Sequence, residues 1–135
     1  FGCGQANPDG LQLQSFATGD DIVATFQAWP QHDNGLGYLN GGIIATVLDC
    51  HSGAAAFHVA DAHGWQPIGD LPFPFVTSGL DIRYRRPSPL TEPCTLHAQV
   101  TSASEDVMQV EAELIWNDKV CATAASEWRR WRPRA

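Results

Sequence analysis

Hydrophobic and polar positions divide the chain into alternating stretches, one long unbroken apolar stretch, and the turns between them. "LQLQSF" alternates from Leu11 and predicts a strand. "DIVATFQAW", Asp21 to Trp29, sets Ile22, Ala24 and Phe26 against Val23, Thr25 and Gln27 and predicts a second. The "GDD" between them suits a hairpin turn. Pro30 to Leu39 carries Pro, Asp, Asn and two Gly, so it reads as a loop.

The next segment, "GGIIATVLDCHSGAAAFHVA" from Gly41 to Ala60, has no proline and is apolar on nearly all sides. As a helix it would be about 30 Å long. A helix apolar all round is a buried one, so something must wrap it. After the loop "DAHGWQPIGDLPFP" come alternating runs at Phe75 to Arg86, Thr95 to Ala103, Val107 to Trp116 and Val120 to Trp131. The pattern predicts about six strands and one long central helix, an α+β protein whose sheet curls around the helix. There is no internal repeat and no linker, so residues 1–135 read as one domain.

Composition narrows the classes. The chain is 44% hydrophobic and 17% charged, which marks a globular protein. The run from Ile43 to Leu48 breaks at Asp49, so no apolar stretch is expected to cross a membrane. The start, "FGCGQANPDG", has neither a basic flank nor an apolar stretch, so no signal peptide is expected; its first residue is Phe, so the natural start is expected upstream. Cys3, Cys50, Cys94 and Cys121 show no paired spacing. We read them as reduced thiols of a cytoplasmic protein, with no metal site and no cofactor. The net charge of −7 argues against a nucleic-acid binder.

The charge is unevenly placed. Residues 1–82 hold no Lys or Arg, while "RYRR" supplies Arg83, Arg85 and Arg86 and "RRWRPR" supplies four more. Arginine makes paired hydrogen bonds to phosphate, so the first cluster is a candidate anion site; solvated strand ends are the alternative.

Two features of the long helix bear on chemistry. Asn40 is a good N-cap, and the N–H groups of Gly41 and Gly42 behind it lack helical partners. Glycine there admits a ligand close to the backbone, and the helix dipole favours an oxygen gaining negative charge. A tight turn into the helix is the structural alternative. Asp49 lies two turns further in, where an unpaired carboxylate costs several kcal/mol unless it faces a cavity. It is a candidate base or nucleophile. His51 and His58 read as plain helix residues. Trp65, Phe73 and Phe75 read as packing or as the lining of an acyl pocket.

"HDNGLGYLNGGIIATVLDCHSG", with "FGCGQANPDGL" and "DIRYRRPSPL", resembles the hotdog-fold acyl-CoA thioesterases of the phenylacetate-pathway type, within the 4-hydroxybenzoyl-CoA thioesterase superfamily. The resemblance implies an antiparallel sheet wrapped around the helix and hydrolysis of an acyl-CoA to acid and thiol. It implies that the Gly41 N–H polarises the thioester carbonyl, and that Asp49 acts as general base or nucleophile. Asn34 would touch the carbonyl or the water, and Thr77 would orient the acid or the water. Asn40 and Gly42 would border the substrate, and Arg83, Arg85 and Arg86 would hold its phosphates. The family usually has His where this chain has Asn40, so a proton-transfer role at that position does not carry over.

Two other readings compete. A hotdog dehydratase or hydratase would pair His32 with Asp49, at a spacing unlike that of the dehydratases. A non-catalytic acyl-thioester-binding dimer would need neither. Helix geometry also bears on assembly. Gly41 and Asp49 are separated by about 12 Å of rise, so one helix cannot present both to one carbonyl. A homodimer with antiparallel helices can, and the resemblance implies that such dimers pair into tetramers.

Overall fold

The computed structural model describes residues 2–134. Its elements run β1 (Ser15–Thr18), β2 (Asp21–Phe26), a 3-10 turn (Pro30–His32), α1 (Gly41–Ala62), β3 (Phe75–Tyr84), β4 (Cys94–Ala103), β5 (Val107–Trp116) and β6 (Lys119–Arg130). All strand pairs are antiparallel, in the order β1-β2-β4-β5-β6-β3. The six strands and the long helix match the alternation pattern, and α1 packs on one face of the sheet. The first strand is shorter than predicted. Gln12 takes φ 53, which breaks the alternation begun at Leu11, and pairing with β2 starts at Ser15. Thr18 pairs with Asp21, leaving Gly19 and Asp20 as the hairpin turn.

The core forms where inward positions of β2, β4, β5 and β6 meet the helix. Val47 and Leu48 are fully buried, as are Leu96, Met108 and Leu114 opposite them. Each such side chain contributes about 1.5–3 kcal/mol by leaving water. Gly53 sits beneath the Trp128 indole, and a Cβ there would lie 2.8 Å from the ring, so the close approach of helix and sheet requires glycine. By length and composition α1 could cross a membrane, contrary to expectation, because Asp49 and Asp61 do not offset its apolar residues. Here half of that stretch is buried within the fold.

His51 is the polar pin of this core. It is fully buried, with Nε2 2.8 Å from the Ile22 carbonyl and Nδ1 2.8 Å from the Ser15 hydroxyl. The carbonyl can only accept, so Nε2 carries the hydrogen and Nδ1 accepts from Ser15. Burial lowers the imidazole's affinity for a proton, the Ile22 hydrogen bond opposes this, and His97 adds to the lowering. A histidine held below its ordinary value of about 6.5 leaves the unfolded state binding more protons under that pH. Stability should therefore be full above about pH 6.5 and fall as the pH drops below it. Urea midpoints at pH 7 and 5.5 should differ in the native chain, and differ less in His51→Gln. An equal difference in both proteins would remove His51 as the cause.

The cysteine reading is corrected. Cys3 and Cys50, 47 positions apart in sequence, form a disulfide with Cα atoms 7.0 Å apart. The N-terminal segment folds back on itself, Leu13 N–H donating to the Cys3 carbonyl at 2.7 Å, and reaches the helix flank. Closing a loop of that size contributes about 2–4 kcal/mol. Cys94 and Cys121 are buried free thiols, as expected. The bridged pair withdraws the cysteine argument for a cytoplasmic location.

Candidate active site

The start of α1 is built by its cap. Asn40 Oδ1 accepts from Ile43 N–H at 2.9 Å, and the Asn40 N–H donates to the His32 carbonyl at 2.8 Å. Gly41 and Gly42 N–H find no acceptor among the described residues. The two glycines have different reasons. A Cβ on Gly41 would lie 3.2 Å from the Tyr84 ring, whose hydroxyl donates to the Gly41 carbonyl at 2.7 Å. A Cβ on Gly42 would meet only Asn40 Oδ1, at an ordinary 3.5 Å. So a side chain at Gly41 would press on Tyr84 of β3, while Gly42 leaves open space beside two unused donors.

Asp49 is half-buried on the helix side facing β3. Thr77 Oγ1 donates to Asp49 Oδ1 at 2.8 Å. This fixes one carboxylate oxygen and leaves the other to accept a proton. The predicted pairing of Asp49 with Thr77 is thus a direct contact across 28 residues of sequence.

A bulge in β3 makes that contact compatible with Tyr84. Thr77 pairs with Trp128 and Gly79 with Glu127, neighbouring residues of β6, so Ser78 is an extra residue. Above the bulge Phe75 and Thr77 face the helix; below it the phase reverses, and Ile82 and Tyr84 do. Sequence reading missed Tyr84. The signal available was a glycine inside a strand, together with the mismatch between odd inward positions at 75 and 77 and even ones at 82 and 84.

The same phase carries Arg83 and Arg85 to the outer face, away from this helix start. Arg83 Nε pairs with Asp81 at 3.0 Å in solvent. Both arginines border an outer groove with Glu111, Glu113 and Thr123. Arg86 Nη1 donates to the Val120 carbonyl at 2.9 Å. Within one chain, then, none of the three is gathered at the helix start with Gly41 and Gly42.

Asn34 lies in an exposed loop folded by side-chain acceptors. Its Oδ1 takes Leu36 N–H at 2.8 Å and Tyr38 N–H at 3.3 Å, while Asp33 Oδ1 takes Gly35 and Gly37 N–H. That leaves the Asn34 Nδ2 as the donor for a carbonyl or water. His32 is buried and stacked on Trp29, and its Nδ1 accepts from Trp29 N–H at 3.0 Å. A ring so used shapes the loop and is poorly placed to serve as the acid–base partner of Asp49. The cysteines offer no competing nucleophile. Cys50 is bridged, and burial, with Cys121 and Glu92 adding to it, pushes the Cys94 thiol up to about 12.

A sequence model of the thioesterase superfamily matches residues 36–122, a span holding the helix start, Asp49 and Thr77. The chain belongs to the thioesterase superfamily. Solved structures agree on the hotdog architecture. A thioesterase superfamily protein from Shewanella loihica is 26% identical, with TM-score 0.70, covering 94% of this chain and 97% of that one. Thioesterase superfamily member 2 of zebrafish is 20% identical, with TM-score 0.74 over 94% and 91% of the two chains. The PaaI protein of the phenylacetic acid degradation operon of E. coli is 19% identical, with TM-score 0.73 over 90% and 81%. No curated protein sequence matches the chain. Superfamily membership supports thioester hydrolysis in general.

Proposed function

We propose that the chain hydrolyses an acyl-CoA, or another acyl thioester, as a homodimer with two shared sites. The observation that carries the chemistry is the Asp49 carboxylate, half-buried at the end of the apolar run of α1 and held by Thr77. The Gly41 N–H of one copy polarises the thioester carbonyl, with Gly42 and the Asn34 amide beside it. Asp49 of the other copy takes a proton from water as the water attacks, or attacks the carbonyl itself to form an anhydride that water then hydrolyses, regenerating the carboxylate. The carbon–sulfur bond breaks, the thiolate leaves with a proton, and the acid is released.

The dimer rests on the roughly 12 Å rise between Gly41 and Asp49 and on the edge formed by β3. That strand has ten residues, pairs among the described residues only with β6, and leaves Val76, Leu80 and Tyr84 at 40%, 40% and 56% exposure. A long open edge with apolar side chains is a surface that a second copy would cover. In such a dimer the outer-face arginines could meet a substrate seated on the other copy.

The test is thiol release from a panel of acyl-CoAs, run beside water addition to enoyl thioesters. Hydrolysis without hydration is the expected result. Hydration without hydrolysis would replace this reading with the hydratase one, and tight binding without either reaction would replace it with the binder.

A further inference from the structure

Ser78, the extra residue of β3, is tied to Glu127 of β6. Its hydroxyl donates to Glu127 Oε1 at 2.8 Å and lies 3.2 Å from the carbonyl of the same residue. Oε1 also accepts from Arg129 Nε at 2.8 Å, and Oε2 accepts from Gln109 Nε2 at 3.2 Å. The Ser78 hydroxyl first, then Arg129 and Gln109, hold this carboxyl below the usual carboxylate range. A second bulge lies in the same row. Val100 pairs with Val110 and Ser102 with Gln109, so Thr101 is an extra residue of β4. The Thr101 hydroxyl donates to the Gln109 carbonyl at 3.3 Å, and Gln109 pairs with Glu127. Hydrogen bonds of Thr101, Gln109, Glu127 and Ser78 thus run in one line across β4, β5, β6 and β3, with a bulge at each end.

We propose that Glu127 is a positioning residue: by holding Ser78 it fixes the bulge of β3 where Thr77 faces Asp49. The inference rests on the hydrolase reading for its effect on catalysis. A bulge that moves along a strand reverses the side chains between its old and new places. Moving toward Tyr84 would turn Ile82 away from the core it packs on, so apolar burial opposes it. Moving toward Phe75, as far as Val76, turns Thr77 outward and costs no core residue. Packing therefore guards one direction only. In the other direction the Ser78 hydroxyl on Glu127 is the contact that would be lost, and Arg129 and Gln109 keep the accepting carboxylate in place for it.

The experiment is a double-mutant cycle on folded protein. Glu127→Ala should lower kcat about tenfold or more with KM within a few-fold, because a misplaced Thr77–Asp49 pair is felt in the transition state. Thr77→Val should lose a similar amount. The double variant should lose little beyond Thr77→Val, since Glu127 acts through Thr77. Glu127→Gln, whose amide oxygen still accepts from Ser78, should stay within a few-fold of native. If Glu127→Ala does not fold, Ser78→Ala breaks the same tie and enters the same cycle. Native kcat in the tie-breaking variant, or losses that multiply in the double variant, would overturn the inference and leave hydrolysis intact. A crystal structure of the tie-breaking variant reads the bulge without turnover. Thr77 turned from Asp49, with no thioester cleaved by the native chain, would support the tie and sink the hydrolase. Thr77 still on Asp49 would overturn the positioning role at any level of activity.

Discussion

Asp49→Asn should lower kcat by about 10²–10⁴-fold, the range for loss of an acid–base group, while KM stays within a few-fold. The substitution keeps shape. An Asn Oδ1 still accepts from the Thr77 hydroxyl now 2.8 Å away, so the helix and its seam with β3 should survive. What is lost is an oxygen able to take a proton or attack a carbonyl, a need felt in the transition state more than in binding. Thiol-release kinetics with urea unfolding of both proteins separates chemistry from folding. A variant that keeps more than about a tenth of native kcat would remove Asp49 from the reaction.

Mixing two inactive variants should restore about a quarter of native activity. One is Asp49→Ala, the other Gly42→Val, whose branched side chain would enter the open space beside the Gly41 and Gly42 N–H groups. If each site takes Gly41 from one copy and Asp49 from the other, half the refolded dimers are mixed and each has one intact site of two. Sites within single chains would return nothing. Native mass spectrometry on chains of different tag mass confirms that mixed dimers formed. A mixture that contains them and stays inactive would refute the shared site.

The helix start shows how far local reading reaches. Asn40 followed by two glycines and an apolar run is a signal carried by adjacent residues, and the cap forms as read, with Asn40 Oδ1 on Ile43 N–H. Asp49 stands out for the same reason, as a charge within an apolar stretch. The Asp49–Thr77 contact came from resemblance alone, since no local rule links residues 28 apart. The bulge at Ser78 was missed because strand reading assumes a constant period of two. One extra residue reverses every side chain beyond it, and this turned Tyr84 to the helix and Arg83 outward.

By itself the sequence determined the six strands, the buried helix, its cap and the unusual acid, because each is set by the period and chemistry of neighbouring residues. Only the tertiary structure decided that Gly53 serves packing under Trp128, that Cys3 bridges Cys50, and that His51 is buried between Ser15 and Ile22. The physical reason is distance along the chain. Those contacts join segments tens of residues apart, and their geometry is fixed by how helix and sheet pack in three dimensions, which no local pattern encodes.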